Sequence, residues 1–139
     1  MGYLASAALQ TAVYQHLCDT STVTNLVGDA IFDALPIEAP GGVYVSLGPE
    51  EVLGLPDSGG GAMRHEFVIS VLSGGDGGAG FGAVKAVASA VCTALEGADL
   101  VTETGHVAGL WFLRARAKRV ENSAERRVDL TFRALMDLA

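Results

Sequence analysis

Two runs close to the C-terminal end constrain the fold more than any other part of the chain. In Arg126–Met136, Val128, Leu130, Phe132 and Ala134 alternate with Arg127, Asp129, Thr131 and Arg133. A period of two gives one apolar and one charged face, the pattern of a half-buried strand. The preceding run, Val107–Val120, puts Trp111, Leu113, Ala115 and Ala117 on one face and Arg114, Arg116 and Lys118 on the other. The polar tip Glu121-Asn-Ser-Ala-Glu125 between the runs predicts a long antiparallel hairpin. Its apolar side, from Trp111 to Phe132, is expected in the core, and its basic side is expected to face outward.

The rest of the chain supplies the elements such a hairpin needs. Leu9, Val13 and Leu17 recur at helical spacing and predict a helix over residues 3–18, with Leu4 and Ala8 near the stripe. Asp19-Thr-Ser-Thr caps a short second helical turn that carries Val23, Leu26 and Val27 and stops at Gly28. Ala30–Leu35 reads as a short strand ended by Pro36, and 37–42 as a loop. Val43–Leu53 is a strand broken at Gly48-Pro49, with Val43, Val45 and Leu47 inward. Met63–Ser73 places Phe67, Ile69 and Val71 opposite Arg64, Glu66 and Ser70. Phe81–Leu95 is a second main helix, and Asp99–Thr102 is a candidate short strand. Glycine-rich loops fall at 54–62 and 74–80.

Helix, strands, helix, strands, with no βαβ alternation, predicts an α+β fold: an antiparallel sheet with two main helices on one face. No composition shift marks a boundary, so residues 1–139 are read as one domain.

The formal charge of −7 conceals an asymmetry. Residues 1–113 hold twelve acids against Arg64 and Lys85, a net −10, whereas residues 114–139 hold seven bases against four acids, a net +3. The acidic bulk argues against general nucleic-acid binding, while the local basic face calls for an acidic partner surface. A nucleic-acid face would also interleave stacking aromatics, and Phe112 is the only aromatic expected on that side of its strand. Arg pairs with carboxylates in bidentate fashion, so a protein interface is the stronger reading. Cys18 and Cys92 lie in apolar helical runs and suit a reducing compartment rather than a disulfide framework. The N-terminus lacks a basic signal-peptide region, and Ala79–Leu95 is too short and too polar to span a bilayer, so a soluble protein is expected.

Candidate chemistry is sparse. Gly75-Asp-Gly-Gly-Ala-Gly80 matches the dinucleotide-binding spacing, with Glu103 at about the distance of a ribose-binding acid. Asp76 would place a negative charge in a pyrophosphate cradle, and the preceding strand alternates rather than being apolar throughout. A linker into a helix is the better reading, and a stand-alone nucleotide- or small-ligand-binding domain the weaker one. His16, His65 and His106 are scattered, so neither a metal site nor another cofactor is expected. Glu50 and Glu51 point to opposite faces of a strand and cannot form an acid–base pair. No catalytic residue is assigned, and the chain is not read as an enzyme.

The arrangement resembles the tail-terminator or tail-completion proteins of long-tailed bacteriophages and phage-derived gene transfer agents. The resemblance is carried by an N-terminal helix followed by Thr24-Asn-Leu-Val-Gly-Asp-Ala-Ile-Phe-Asp33, Pro36 and Val43-Tyr-Val-Ser-Leu-Gly48. It continues through a strand ending near Gly74, Ala94-Leu-Glu-Gly97, Gly105-His106 and Leu130-Thr-Phe-Arg-Ala134. Gly42-Val43 stands where members often have Pro before the Tyr-Val pair. The resemblance implies a virion structural protein at the tail neck, made in the bacterial cytoplasm. Its homohexameric ring would cap the tail tube, end tube polymerisation and join tail to head. The implied partners are further copies of itself, the tail-tube protein and a neck or stopper protein, with DNA only passing through the lumen and no membrane. A head-side neck or stopper protein is the alternative within the same particle. On either reading Arg114, Arg116, Lys118, Arg127 and Arg133 are expected at an interface, joined by Asp57, Ser58 and Asp76 of the glycine-rich loops.

Overall fold

The structure is a computed structural model that describes residues 3, 5–55, 61–74, 80–120 and 125–137. In chain order the elements are α1 (Ser6–Cys18), α2 (Ser21–Val27), β1 (Ile31–Phe32), β2 (Val43–Gly54), β3 (Ala62–Ser73), α3 (Phe81–Leu95), β4 (His106–Arg119) and β5 (Arg126–Asp137). The strands form one sheet in the order β1-β2-β3-β5-β4. The α+β class holds, and the C-terminal strands form the expected hairpin.

Two features of the sheet depart from the sequence reading. It is mixed rather than wholly antiparallel, because β1 runs parallel to β2 through Ile31↔Val45 and Phe32↔Ser46. It also contains a split crossover: β4 is antiparallel to β5 and β5 to β3, so β3, α3 and β4 form a βαβ unit with β5 inserted between the strands. β1 is shorter than Ala30–Leu35. Continued pairing would run it against Gly48 and Pro49, where β2 bulges and Pro49 has no N–H to donate. Asp99–Thr102 is not a strand; it is held instead by buried Leu100 and by the Thr102 hydroxyl donating to the Gly105 carbonyl at 2.7 Å.

The helices bury their apolar stripes against one face of the sheet. Leu9, Val13 and Leu17 of α1, Val23 of α2, and Val84, Val87, Ala88, Val91 and Leu95 of α3 meet Val45, Phe67, Ile69, Val71, Leu130 and Phe132. Phe132 is fully buried at the centre, stacked on Phe67 at 5.8 Å and edge-on to Phe112 at 5.9 Å. Burying a side chain of this kind contributes about 1.5–3 kcal/mol, so the Phe67–Phe132–Phe112 row ties β3, β5 and β4 together. Gly28, at φ 62°, ends α2 as expected.

One polar cluster sits on the helix-covered side. Glu50 accepts hydrogen bonds from Ser6 Oγ at 2.6 Å and Tyr3 Oη at 2.8 Å, and its second oxygen lies 3.3 Å from His65 Nδ1. Burial alone would raise the Glu50 carboxyl, but these three hydrogen bonds and the His65 charge outweigh it and hold it below its ordinary value. The cluster fastens the start of α1 to β2 and β3. Glu51, one residue on, pairs with Glu66 on the opposite face, as the alternation required.

Candidate functional site

The helix-free face of the sheet carries Arg114, Arg116, Lys118, Arg127 and Arg133, whereas Arg126 lies over the Phe81 ring of α3. Two irregularities in β4 decide which of its own side chains join that face. The pairing with β5 shifts between Val107 and Gly109 and again between Phe112 and Arg114. Each shift inserts one residue and reverses which neighbours share a face. Val107, Leu110 and Phe112 therefore face the helices, as do Ala115 and Ala117 beyond the second bulge, while Trp111, Arg114 and Arg116 face away.

This corrects two expectations. Trp111 is not a core residue: it is 46% exposed and pairs with Arg133 on the basic face. Phe112 is not on that face, because it packs against Phe132. Strict alternation through Leu113 produced both errors, since Leu113 is the inserted residue. Gly109 is the local signal that could have revealed the Trp111 side. A Cβ there would collide with the indole, so the ring occupies the space that the missing side chain leaves.

Of the five bases predicted on this face, three are held by carboxylates of the same sheet. Arg133 donates to Glu66 at 3.0 Å, Arg127 donates to Asp129 at 2.7 Å, and Lys118 lies 3.8 Å from Asp129. Ser70 Oγ adds a hydrogen bond to Asp129 at 2.7 Å. Burial alone would raise the Asp129 carboxyl. The Ser70 and Arg127 hydrogen bonds and the Arg127 and Lys118 charges overcome that and hold it low. Arg114 and Arg116 are different: both are exposed, and neither makes an ion pair among the described residues. They border a shallow depression with Pro49, Val68, Arg127, Asp129 and Thr131.

Asp57, Ser58 and Asp76 lie outside the described residues, as does most of Gly75–Gly80. β3, which leads into that glycine-rich stretch, pairs antiparallel with both neighbours. A dinucleotide cradle opens instead at the end of a strand within a parallel sheet. Among the described residues no group of three or more His, Cys, Asp or Glu side chains could hold a metal ion, and no helix is long and apolar enough to cross a membrane.

None of the curated proteins matches the chain significantly. Among solved structures, the chain is similar to one described as part of the virion of a native gene transfer agent (GTA) particle. The two are 49% identical with a TM-score of 0.87, over 97% of this chain and 98% of the other. The family described as tail completion protein gp17 matches residues 11–137, nearly the whole of the sheet and its helices. The chain belongs to the tail completion protein gp17 family.

Proposed function

We propose that the protein forms a hexameric ring at the head-proximal end of a tail tube in a phage-like particle, stops the tube from growing and joins the tail to the head. A structural role in such a tail follows from the family. The observation that carries the finer reading is the near full-length similarity to a chain of a gene transfer agent virion. The surface supports it physically. A closed ring needs two unlike patches that recognise each other, and this chain pairs an acidic bulk with a basic hairpin.

Arg114 and Arg116 are the principal contact residues in this reading, because their charges are not already neutralised within the sheet. Lys118, Arg127 and Arg133 shape the same face through Asp129 and Glu66. Asp57, Ser58 and Asp76 join from the loops, toward the tube protein or a neck or stopper protein. The excess of acids gives a DNA-conducting lumen a wall that repels the phosphate backbone.

Deleting the chain from producing cells tests the proposal by electron microscopy of the particles. Tubes of excessive length and tails without heads are expected. Tails of normal length attached to heads would overturn it.

A further inference from the structure

The two edges of the sheet are unlike, and each has what the other lacks. β4 is an open edge fourteen residues long. Every residue from Arg114 to Arg119 is exposed, although all of them pair with β5 on the inner side. On the helix side of this edge lies a largely apolar groove of about 290 Å³ between α3 and the hairpin, lined by Ala88, Cys92, Phe112, Ala115, Ala117 and Val128 together with Lys85 and Ser89 of α3. Arg114 and Arg116 leave the same strand on the other side. A long open edge presents unpaired backbone groups with which another chain can pair.

At the opposite edge, residues 33–42 carry the chain from β1 back to the start of β2. Here Ile37 is fully exposed and Leu35 is 56% exposed. Asp33 and Glu38 flank them, both exposed and without an ion pair among the described residues. Two large apolar side chains flanked by carboxylates complement an edge strand that offers an apolar groove on its helix side and two guanidinium groups on its other side.

We infer that the occupant of the β4 edge is the 33–38 segment of a second copy of this chain. Leu35 and Ile37 enter the groove between α3 and β4, and Asp33 and Glu38 meet Arg114 and Arg116. Donor and acceptor lie on opposite edges of one sheet, so every copy that receives a neighbour still offers its own loop to the next. That is a heterologous contact, which generates a closed ring when the rotation per copy allows it. The inference rests on the ring reading and assigns the surfaces that build the ring.

Disulfide trapping in assembled particles tests it. Ile37→Cys and Ala117→Cys are combined in a Cys92→Ala background, so that the groove holds no competing thiol. The two positions lie on opposite edges of a five-stranded sheet, with strands about 4.8 Å apart. They are too far apart to bond within one chain. A ladder of covalently linked copies after mild oxidation is expected from the double variant and not from either single variant. Only monomers, from particles with normal tails, would overturn the edge assignment and leave the ring reading standing. If the double variant does not assemble, charge exchange reads the same contact. Arg114→Glu with Arg116→Glu is expected to abolish incorporation, and adding Asp33→Arg with Glu38→Arg to restore it. Failure to restore would overturn the inference.

Discussion

The two halves of β4 hydrogen-bond to the same partner strand yet differ in almost everything else. Before the second bulge, Val107 and Leu110 are buried and Phe112 closes the aromatic row with Phe132. After it, all six residues from Arg114 to Arg119 are exposed, and their inward side offers Ala115, Ala117 and, by the same alternation, Arg119. Both halves are paired to β5 along their length, so hydrogen bonding does not make the difference. What differs is whether helix α3 lies over the strand closely enough to exclude water. The first half holds the fold together, and the second half is a surface available to something else.

The largest expected effect comes from the first half. Leu110→Ala should cost about 2–5 kcal/mol of unfolding free energy, the range for truncating a buried leucine. Arg116→Ala, the matched change in the second half, should stay within about 0.5 kcal/mol. Denaturant unfolding of both variants checks the contrast, and equal losses would show that the two halves are not distinct.

A smaller effect concerns the carboxylate that faces the second half. Asp129→Ala should cost about 1–2 kcal/mol, because Ser70 and Arg127 lose their acceptor. The sign of the pH dependence follows from the lowered carboxyls of Asp129 and Glu50. A depressed folded-state value means stability that is present above the unfolded value and lost as pH falls through the folded one. Stability should therefore begin to fall below about pH 4.5, the ordinary Glu50 value, and continue falling through the ordinary Asp129 value of 3.8. Thermal unfolding followed from about pH 7 to about pH 3 reads this. In Asp129→Ala the acid loss should be smaller, and an unchanged profile would remove Asp129 from the account.

The smallest effect tests the parity of β4 directly. Gly109→Ala should push the indole of Trp111 off the strand at a cost below about 1.5 kcal/mol, since the displaced ring is already exposed. Trp111 is the sole tryptophan, so its fluorescence reports the movement without interference. An unchanged emission spectrum would mean that the ring does not lie over Gly109.

Much of the frame was legible because it depends on local periodicity. The helical spacing of Leu9, Val13 and Leu17 and the alternation of Phe67, Ile69 and Val71 each declare a buried face, and the structure buries those residues. The bounds of α3 were readable for the same reason, with Gly80 before it and Gly97 beyond its end. The side of Trp111 was not legible. A bulge inserts one residue without a distinctive side chain, and every later position then changes face. Alternation does put Arg127 and Asp129 on one face of β5, but it could not show that Lys118 reaches Asp129 or that Arg133 reaches Glu66, because those partners come from neighbouring strands.

By itself, then, the sequence determined the α+β class, the core stripes and the concentration of bases in the terminal hairpin, all properties of neighbouring residues along the chain. The tertiary structure alone decided that Trp111 joins the basic face and that Arg114 and Arg116 remain unneutralised among the described residues. It also decided that the β1 and β4 edges lie on opposite sides of the sheet. Those outcomes depend on strand order and register, which bring together side chains far apart in the chain and which no local pattern encodes.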